Sequence, residues 1–236
     1  MTWGCFDYSQ QEPRLVTHYA ALDGLYGVEE VLDAYNEGEA DFHQIVADMA
    51  NIPRSQAKTI NLGLFYGMGK NKLQAELGVS KETSDELFKQ YHERVPFVKM
   101  LMDNVMQRAQ QRGQIRTLLG RLCRFHLWEP NMFGMHKAMT HDAAILEHGP
   151  GIRRAFTYKA LNKLIQGSAA DMTKKAMLDL YKEGIIPHIQ VHDELDISVE
   201  SKEHADKIKE IMESAVQLEV PNKVDYESGP NWGNIK

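Results

Sequence analysis

The sequence is short of several things that would assign a class at once. Two cysteines occur in 236 residues, Cys5 and Cys123, with no CxxC pair. This excludes a disulfide framework and a cysteine-rich zinc site. No apolar run reaches the roughly 20 residues that span a bilayer. The start, Met1-Thr2-Trp3-Gly4-Cys5, has no signal-peptide pattern, so the expected setting is cytoplasmic. There is no surplus of basic residues: the net charge is −6, which gives no global electrostatic footprint for nucleic acid. Any such partner must be met by a local basic patch or by another chain. Internal repeats and low-complexity segments are missing as well. What remains is a chain with 43% hydrophobic residues, enough for a substantial core in one large domain or two intimate lobes.

The pattern starts with an apolar strand from Thr2 to Tyr8 that runs straight into Ser9-Gln10-Gln11-Glu12. Helical periodicity follows over Arg14–Gly24 and Val28–Tyr35. Asp41 is placed to cap a helix through Ala50 that ends before Pro53. Arg54–Tyr66 reads as a helix, Asn71–Leu77 as a short one, and Ser80 or Thr83 caps the next. Pro96 breaks that helix, and Phe97–Gln111 forms another closed by Gly113. A hairpin is expected over Gln114–Phe125. The segment 127–151 reads as an irregular surface loop. Its histidines, His136, His141 and His148, match no standard metal-ligand spacing. Arg153–Tyr181 reads as one long helix, Ser201 caps a helix to about Leu218, and Val220–Tyr226 holds a last strand at a sheet edge. Strand, many helices, hairpin, helix, strand is an α+β order with an inserted helical lobe.

Three stretches carry chemistry. Around Ile189–Val199 apolar residues alternate, interrupted by His192-Asp193-Glu194, which reads as two strands joined by a tight turn. Adjacent carboxylates on a turn repel unless solvent or a cation relieves them. A solvated turn and a divalent metal site are both open. Asp7 closes the first strand, so Asp7 and Asp193 are candidates for metal ligands on adjacent strands. Two magnesium ions roughly 3.5–4 Å apart can activate a hydroxyl and steady a leaving pyrophosphate. Lastly, Arg54 and Lys58 lie four apart on one helix face, continued by Leu62 and Tyr66. That row runs from cationic to apolar and aromatic, as a nucleoside triphosphate runs from phosphates to base. A solvated basic turn on an amphipathic helix is the alternative.

Taken together, DYSQQEPR at 7–14, RSQAKTINLGLFYG at 54–67 and VHDE at 191–194 resemble motifs A, B and C of family A DNA polymerases. YHERVP at 91–96, TLLGR at 117–121, NKLIQGSAAD at 162–171 and GPNW at 229–232 extend the likeness over almost the whole chain, in the family's order. The resemblance implies a palm built on an antiparallel sheet with an inserted helical fingers subdomain. Residues 1–27 and 156–236 would be palm, with the motif C hairpin at 187–199. Residues 28–155 would be fingers, with an irregular insertion over 127–155. It also implies template-directed addition of a dNTP to a primer 3′-OH, with Mg2+ as two ions and Mn2+ as substitute.

By the same resemblance, Asp7, Asp193 and the Tyr8 carbonyl would hold metal, with Glu194 as an auxiliary carboxylate. Tyr8, Gln10, Glu12, His43, Arg54, Lys58, Leu62 and Tyr66 would meet the dNTP. Glu12 would be the steric gate against a ribose 2′-OH, and Lys58 the proton donor to pyrophosphate. Asn162, Gln166 and His192 would touch primer–template DNA. Leu62 departs from the family's usual aromatic residue, and Tyr158 stands where an Arg is frequent. The thumb and first part of the palm have no counterpart, so a partner polypeptide supplying them is expected. The competing readings are a non-catalytic nucleic-acid-binding remnant and a single-subunit RNA polymerase.

Overall fold

The structure, a computed structural model, describes residues 1–38, 40–65, 70–132 and 134–235, with only the backbone of Leu73. It contains ten α-helices, two short 3-10 helices and eight strands among those residues, an α+β composition. They form two compact units. The first comprises 1–24, 28–42 and 166–236; the second comprises 25–27 and 43–165. These bounds put 28–42 with the first unit, whereas the sequence segments place it after the break at residue 27.

The first unit is built on a four-stranded antiparallel sheet in the order β6-β7-β1-β8. Its strands are β1 (Thr2–Tyr8), β6 (Ile189–Val191), β7 (Glu194–Val199) and β8 (Val224–Gly229). Alternation sorts the side chains of β1 and β7 onto two faces. Phe6, Tyr8, Leu195, Ile197 and Val199 are buried, as are Ala205, Ile208 and Met212 of α10 (Lys202–Ser214). Burying a side chain such as Phe6 contributes ~1.5–3 kcal/mol, and its ring also stacks on Tyr226 at 4.8 Å. Tyr8 donates its hydroxyl to the Met212 carbonyl at 2.6 Å, tying the sheet to this helix. Gly4 sits where a Cβ would lie 2.6 Å from Val199 and 2.9 Å from Tyr226, so only glycine fits between them. Ser201 caps α10 by accepting from the His204 N–H at 3.2 Å.

Two more helices of this unit hold the first strand's exit. Arg14 of α1 (Gln11–Leu22) is buried; it donates to the Ser9 and Pro221 carbonyls and stacks on Tyr35 of α2 (Glu29–Glu37). Tyr19 and Gln11 of α1 bond Ser168 and Thr173 of α9 (Ala160–Lys182). Two expectations are corrected here. The long helix begins at Ala160 rather than Arg153, because Phe156 takes φ 62° and breaks the helical run. The last strand runs Val224–Gly229, a few residues later than expected.

The second unit is mainly helical: α3 (Phe42–Ala50) except Phe42, α4 (Arg54–Phe65), α5 (Lys70–Leu77), α6 (Lys81–Arg94) and α7 (Pro96–Arg112). Ser80 caps α6 by accepting from the Thr83 N–H, Pro96 starts α7 and Gly113 ends it at φ 66°. The expected hairpin is present as β2 (Gln114–Arg116) paired with β3 (Leu122–Arg124).

The irregular loop expected over 127–151 is corrected. β4 (Trp128–Pro130) pairs with β5 (Ile152–Arg154), and α8 (His141–His148) lies between them. Three-residue strands are too short to show a period of two. The pairing is held from outside the pattern by Arg154, which donates to the Gln110 and Phe125 carbonyls and stacks on Trp128 at 4.5 Å. A Cβ on Gly113 would stand 2.7 Å from that guanidinium.

Candidate active site

The β1–β7 register decides which acidic groups meet. Asp7 lies opposite Glu194, Cys5 opposite Asp196, and on the other side Asp7 opposite Asp225. The His192-Asp193 pair forms the two-residue turn between β6 and β7, since Val191 pairs directly with Glu194. His192 takes φ 54°, the left-handed backbone that such short turns demand. Holding a histidine there costs local strain, which Gln190 offsets by donating to the His192 carbonyl at 2.6 Å. Glu194 is therefore the first residue of β7 rather than part of the turn. The Tyr8 N–H donates to the Asp193 carbonyl at 3.4 Å, so motif A's exit and the turn share a backbone bond.

The carboxylates differ in environment. Asp7 is exposed, Asp193 half-buried and Glu194 buried. Burial pushes the Asp193 carboxyl above its ordinary value; a bond to its own backbone and the nearby His192 partly counter this. A cation relieves the same penalty by favouring the charged form. The donors Asp7, Asp193 and the Tyr8 carbonyl are hard oxygens, the set that suits magnesium or manganese.

A second group on the same face went unread in the sequence. Cys5, Glu194 and Asp196 are all buried, and their potential ligand atoms lie within 4.8 Å of one another. Asp196 Oδ1 accepts from the Trp3 indole N–H at 3.0 Å and from the Cys5 thiol at 2.6 Å. In sequence, Asp196 falls at the polar position of an alternating strand and reads as solvent-facing. Only the antiparallel register brings it against Cys5.

Gln10 and Glu12 lie at the start of α1. Gln10 is left-handed at φ 54°, and its amide is engaged inside the first unit. Nε2 donates to the Ala40 carbonyl at 2.7 Å, while Oε1 accepts from the Tyr35 hydroxyl at 3.2 Å and the Phe42 N–H at 2.9 Å. These bonds make Gln10 a clamp on the α2–α3 connection. Glu12 is half-buried in the first turn of α1.

The remaining predicted nucleotide contacts are in the second unit. α4 buries Ala57, Ile60, Asn61, Leu64 and Phe65, leaving Arg54 and Lys58 exposed and Leu62 half-buried. The helix thus presents the cationic row in the register that its spacing requires. Tyr66 lies outside the described residues. His43 is 8% exposed, and its Nδ1 is 3.1 Å from Asn61 Nδ2. Asn61 Oδ1 accepts from the Tyr91 hydroxyl; Asn61 and Tyr91 are both fully buried. Sequence reasoning missed this chain because Asn61 lies on the inward face of α4 and its partners are 18 and 30 residues away. Asn162 is half-buried and Gln166 exposed one turn apart on α9, and His192 is exposed on its turn.

Comparisons with known proteins extend this geometry. The model of the family described as DNA polymerase family A matches residues 2–234. The chain is 35% identical to a DNA-directed DNA polymerase of Pseudomonas phage M6, over 98% of this chain and 38% of the relative. It is 36% identical to DNA polymerase I of Geobacillus stearothermophilus, over 98% of this chain and 26% of the relative. Among solved structures it resembles the polymerase domain of Pol1 from M. smegmatis in complex with DNA primer-template and dNTP. The TM-score is 0.77 at 28% identity, covering all of this chain and 40% of that one. The chain thus spans between 26% and 38% of the length of these two curated relatives.

Proposed function

The chain belongs to DNA polymerase family A, and from that premise we propose that it catalyses template-directed addition of a dNTP to a primer 3′-OH. The observation that carries the reading is the register that sets Asp7 opposite Glu194 while Asp193 accepts from the Tyr8 N–H. It supports a rigid, strand-mounted carboxylate pair of the kind a metal-dependent phosphoryl transfer needs. Asp7, Asp193 and the Tyr8 carbonyl would hold two magnesium ions. When bound, such ions favour the ionised 3′-hydroxyl and offset the charge that develops on the phosphates.

The chain's own residues do the rest. Arg54 and Lys58 bind the triphosphate, Arg by paired N–H donors and Lys as a mobile point charge. Lys58 is the candidate acid for the departing pyrophosphate. Glu12 rejects a 2′-hydroxyl by occupying its space and Leu62 packs on the sugar; by the family likeness Tyr66 would stack at the templating position. His43 sets the inner side of the nucleotide helix through Asn61. Asn162, Gln166 and His192 contact the primer–template. The partner is duplex DNA with a recessed 3′ end. A second polypeptide carrying the thumb and remaining palm would supply further grip on it.

A labelled primer on a template, with dNTPs and magnesium, tests this. Template-dictated incorporation that Asp7→Asn and Asp193→Asn each abolish is the expected result. Extension should be stronger with an added thumb-and-palm fragment than with the chain alone. No incorporation under either condition favours a binding remnant, and equal use of rNTPs favours an RNA polymerase. Equal extension by the chain alone discards the two-polypeptide arrangement.

A further inference from the structure

The polymerase reading uses Glu194 through its place opposite Asp7, but it does not use the group that Glu194 forms with Cys5 and Asp196. Asp196 is 0% exposed and Cys5 4%. Asp196 Oδ1 has two donors, yet Oδ2, equally buried, has no hydrogen-bond partner. An orphaned buried carboxylate oxygen is costly, and such atoms are nearly always paired with a donor or an ion. A second carboxylate, Glu194, has a ligand atom within 4.8 Å of those of Cys5 and Asp196. Two carboxylates this close in a buried setting are a ready pair of ligands for a cation between them.

We infer that Cys5, Glu194 and Asp196 form a site for one thiophilic divalent cation, of the zinc or cadmium class, distinct from the Asp7–Asp193 pair. The cysteine decides the class: thiolate selects soft and borderline metals, whereas magnesium keeps to oxygen. Binding replaces the Cys5 thiol proton with the metal and releases that proton to solvent; the two carboxylates bind as anions. A tetrahedral zinc ion has Zn–S of about 2.3 Å and Zn–O of about 2.0–2.2 Å. Those bond lengths set S···O at roughly 3.5 Å, so the 2.6 Å thiol–carboxylate contact opens by about 1 Å as the proton leaves. The strands β1 and β7 already hold Cys5 and Asp196 in register, so rotation of the two side chains suffices. Trp3 orients the Asp196 carboxylate by donating to Oδ1, as outer-shell donors do for metal ligands. Three protein ligands leave the fourth position open. Glu194, the least buried of the three at 9%, marks the way in.

The test needs neither DNA nor nucleotide, so its outcome is independent of the polymerase reading. The full chain is titrated with cadmium and followed by the ultraviolet charge-transfer band of a cadmium–thiolate bond. One equivalent should saturate the band. Zinc should displace it and magnesium in large excess should not. Cys5→Ser should abolish the band, Cys123→Ser should keep it, and Asp196→Asn should weaken binding about tenfold or more. Circular dichroism confirms that each variant is folded. Should Cys5→Ser or Asp196→Asn fail to fold, the Cys123→Ser chain decides alone through saturation and the zinc–magnesium competition. The proposal is overturned by an absent band, by its loss on Cys123→Ser, by its survival in folded Cys5→Ser, or by its removal with magnesium.

Discussion

Removing one hydroxyl from the interior of the second unit, by Tyr91→Phe, would cut the buried chain Tyr91–Asn61–His43. The Tyr91 hydroxyl donates to Asn61 Oδ1, and burial pushes its pKa well up, so it stays a donor at any working pH. Asn61 is 0% exposed, so no solvent replaces the lost partner. The expected cost is about 1–3 kcal/mol, the penalty of a buried acceptor left unpaired. For a chain of this size each kcal/mol moves the melting temperature by roughly 2–4 °C, so the shift should be about 2–12 °C. Asn61→Ala, which also leaves His43 Nδ1 without this partner, should cost more. A double-mutant cycle should return a coupling of about 0.5–3 kcal/mol between Tyr91 and Asn61. Thermal melts of the four chains, monitored by circular dichroism, measure all of this. A Tyr91→Phe melt that coincides with the parent would refute the network's contribution. So would additivity of the two substitutions.

Further outcomes are expected. In magnesium-free buffer at neutral pH, Asp193→Asn should melt higher than the parent. The folded carboxyl pKa lies above its ordinary 3.8, so its contribution is favourable below that value and is lost as pH rises through the folded pKa. The gain should shrink on acidification towards 3.8, and a gain independent of pH would contradict the cause. The same variant should lose magnesium-dependent incorporation by at least about 10³-fold, the equivalent of roughly 4 kcal/mol. Arg54→Ala and Lys58→Ala should each raise the KM for dNTP about 10–100-fold, the worth of a charge-assisted bond to phosphate. An unchanged KM in steady-state kinetics for both would remove this helix face from nucleotide binding. His18 accepts the Glu219 N–H through Nδ1, and burial holds its pKa below 6.5. Its stabilising contribution is therefore present above 6.5 and lost as pH falls through the depressed value, by up to about 1.4 kcal/mol per unit. Denaturant melts of His18→Asn should flatten that acid limb; parallel limbs would rule His18 out.

Which parts of the fold were legible depended on whether the signal was local. Ser80, Pro96, Gly113 and Ser201 mark helix ends through their own backbone chemistry, and the structure uses each as the sequence implied. The segment 127–155 was opaque for the opposite reason. Its order rests on Arg154 reaching Gln110, Phe125 and Trp128, contacts that no window around residue 140 contains. The break at Phe156 was equally hidden, because an aromatic residue at φ 62° follows from the tertiary setting and not from propensity.

The same distinction divides the candidate site. Local pattern puts Asp7, Asp193, Arg54 and Lys58 at a strand's end, on a turn and along one helix face, but it was the likeness to motifs A, B and C that marked them as candidates. Gln10 shows where that reasoning thins: beside Asp7 in sequence, it turns its amide to Ala40, Tyr35 and Phe42. Its amide thereby holds the α2–α3 connection. Asp196 is the sharpest case. Two residues beyond Glu194, it has the sequence signature of an exposed strand position, yet it is fully buried against Cys5 and Trp3. A carboxylate is kept there only if something repays its desolvation, and the indole N–H and the thiol reach one of its two oxygens. The His192-Asp193 turn and the buried group behind it therefore pose one electrostatic question at two depths. Near the surface, solvent or a hard cation can answer it. Beneath, where the carboxylates are buried and a sulfur stands beside them, a soft cation fits.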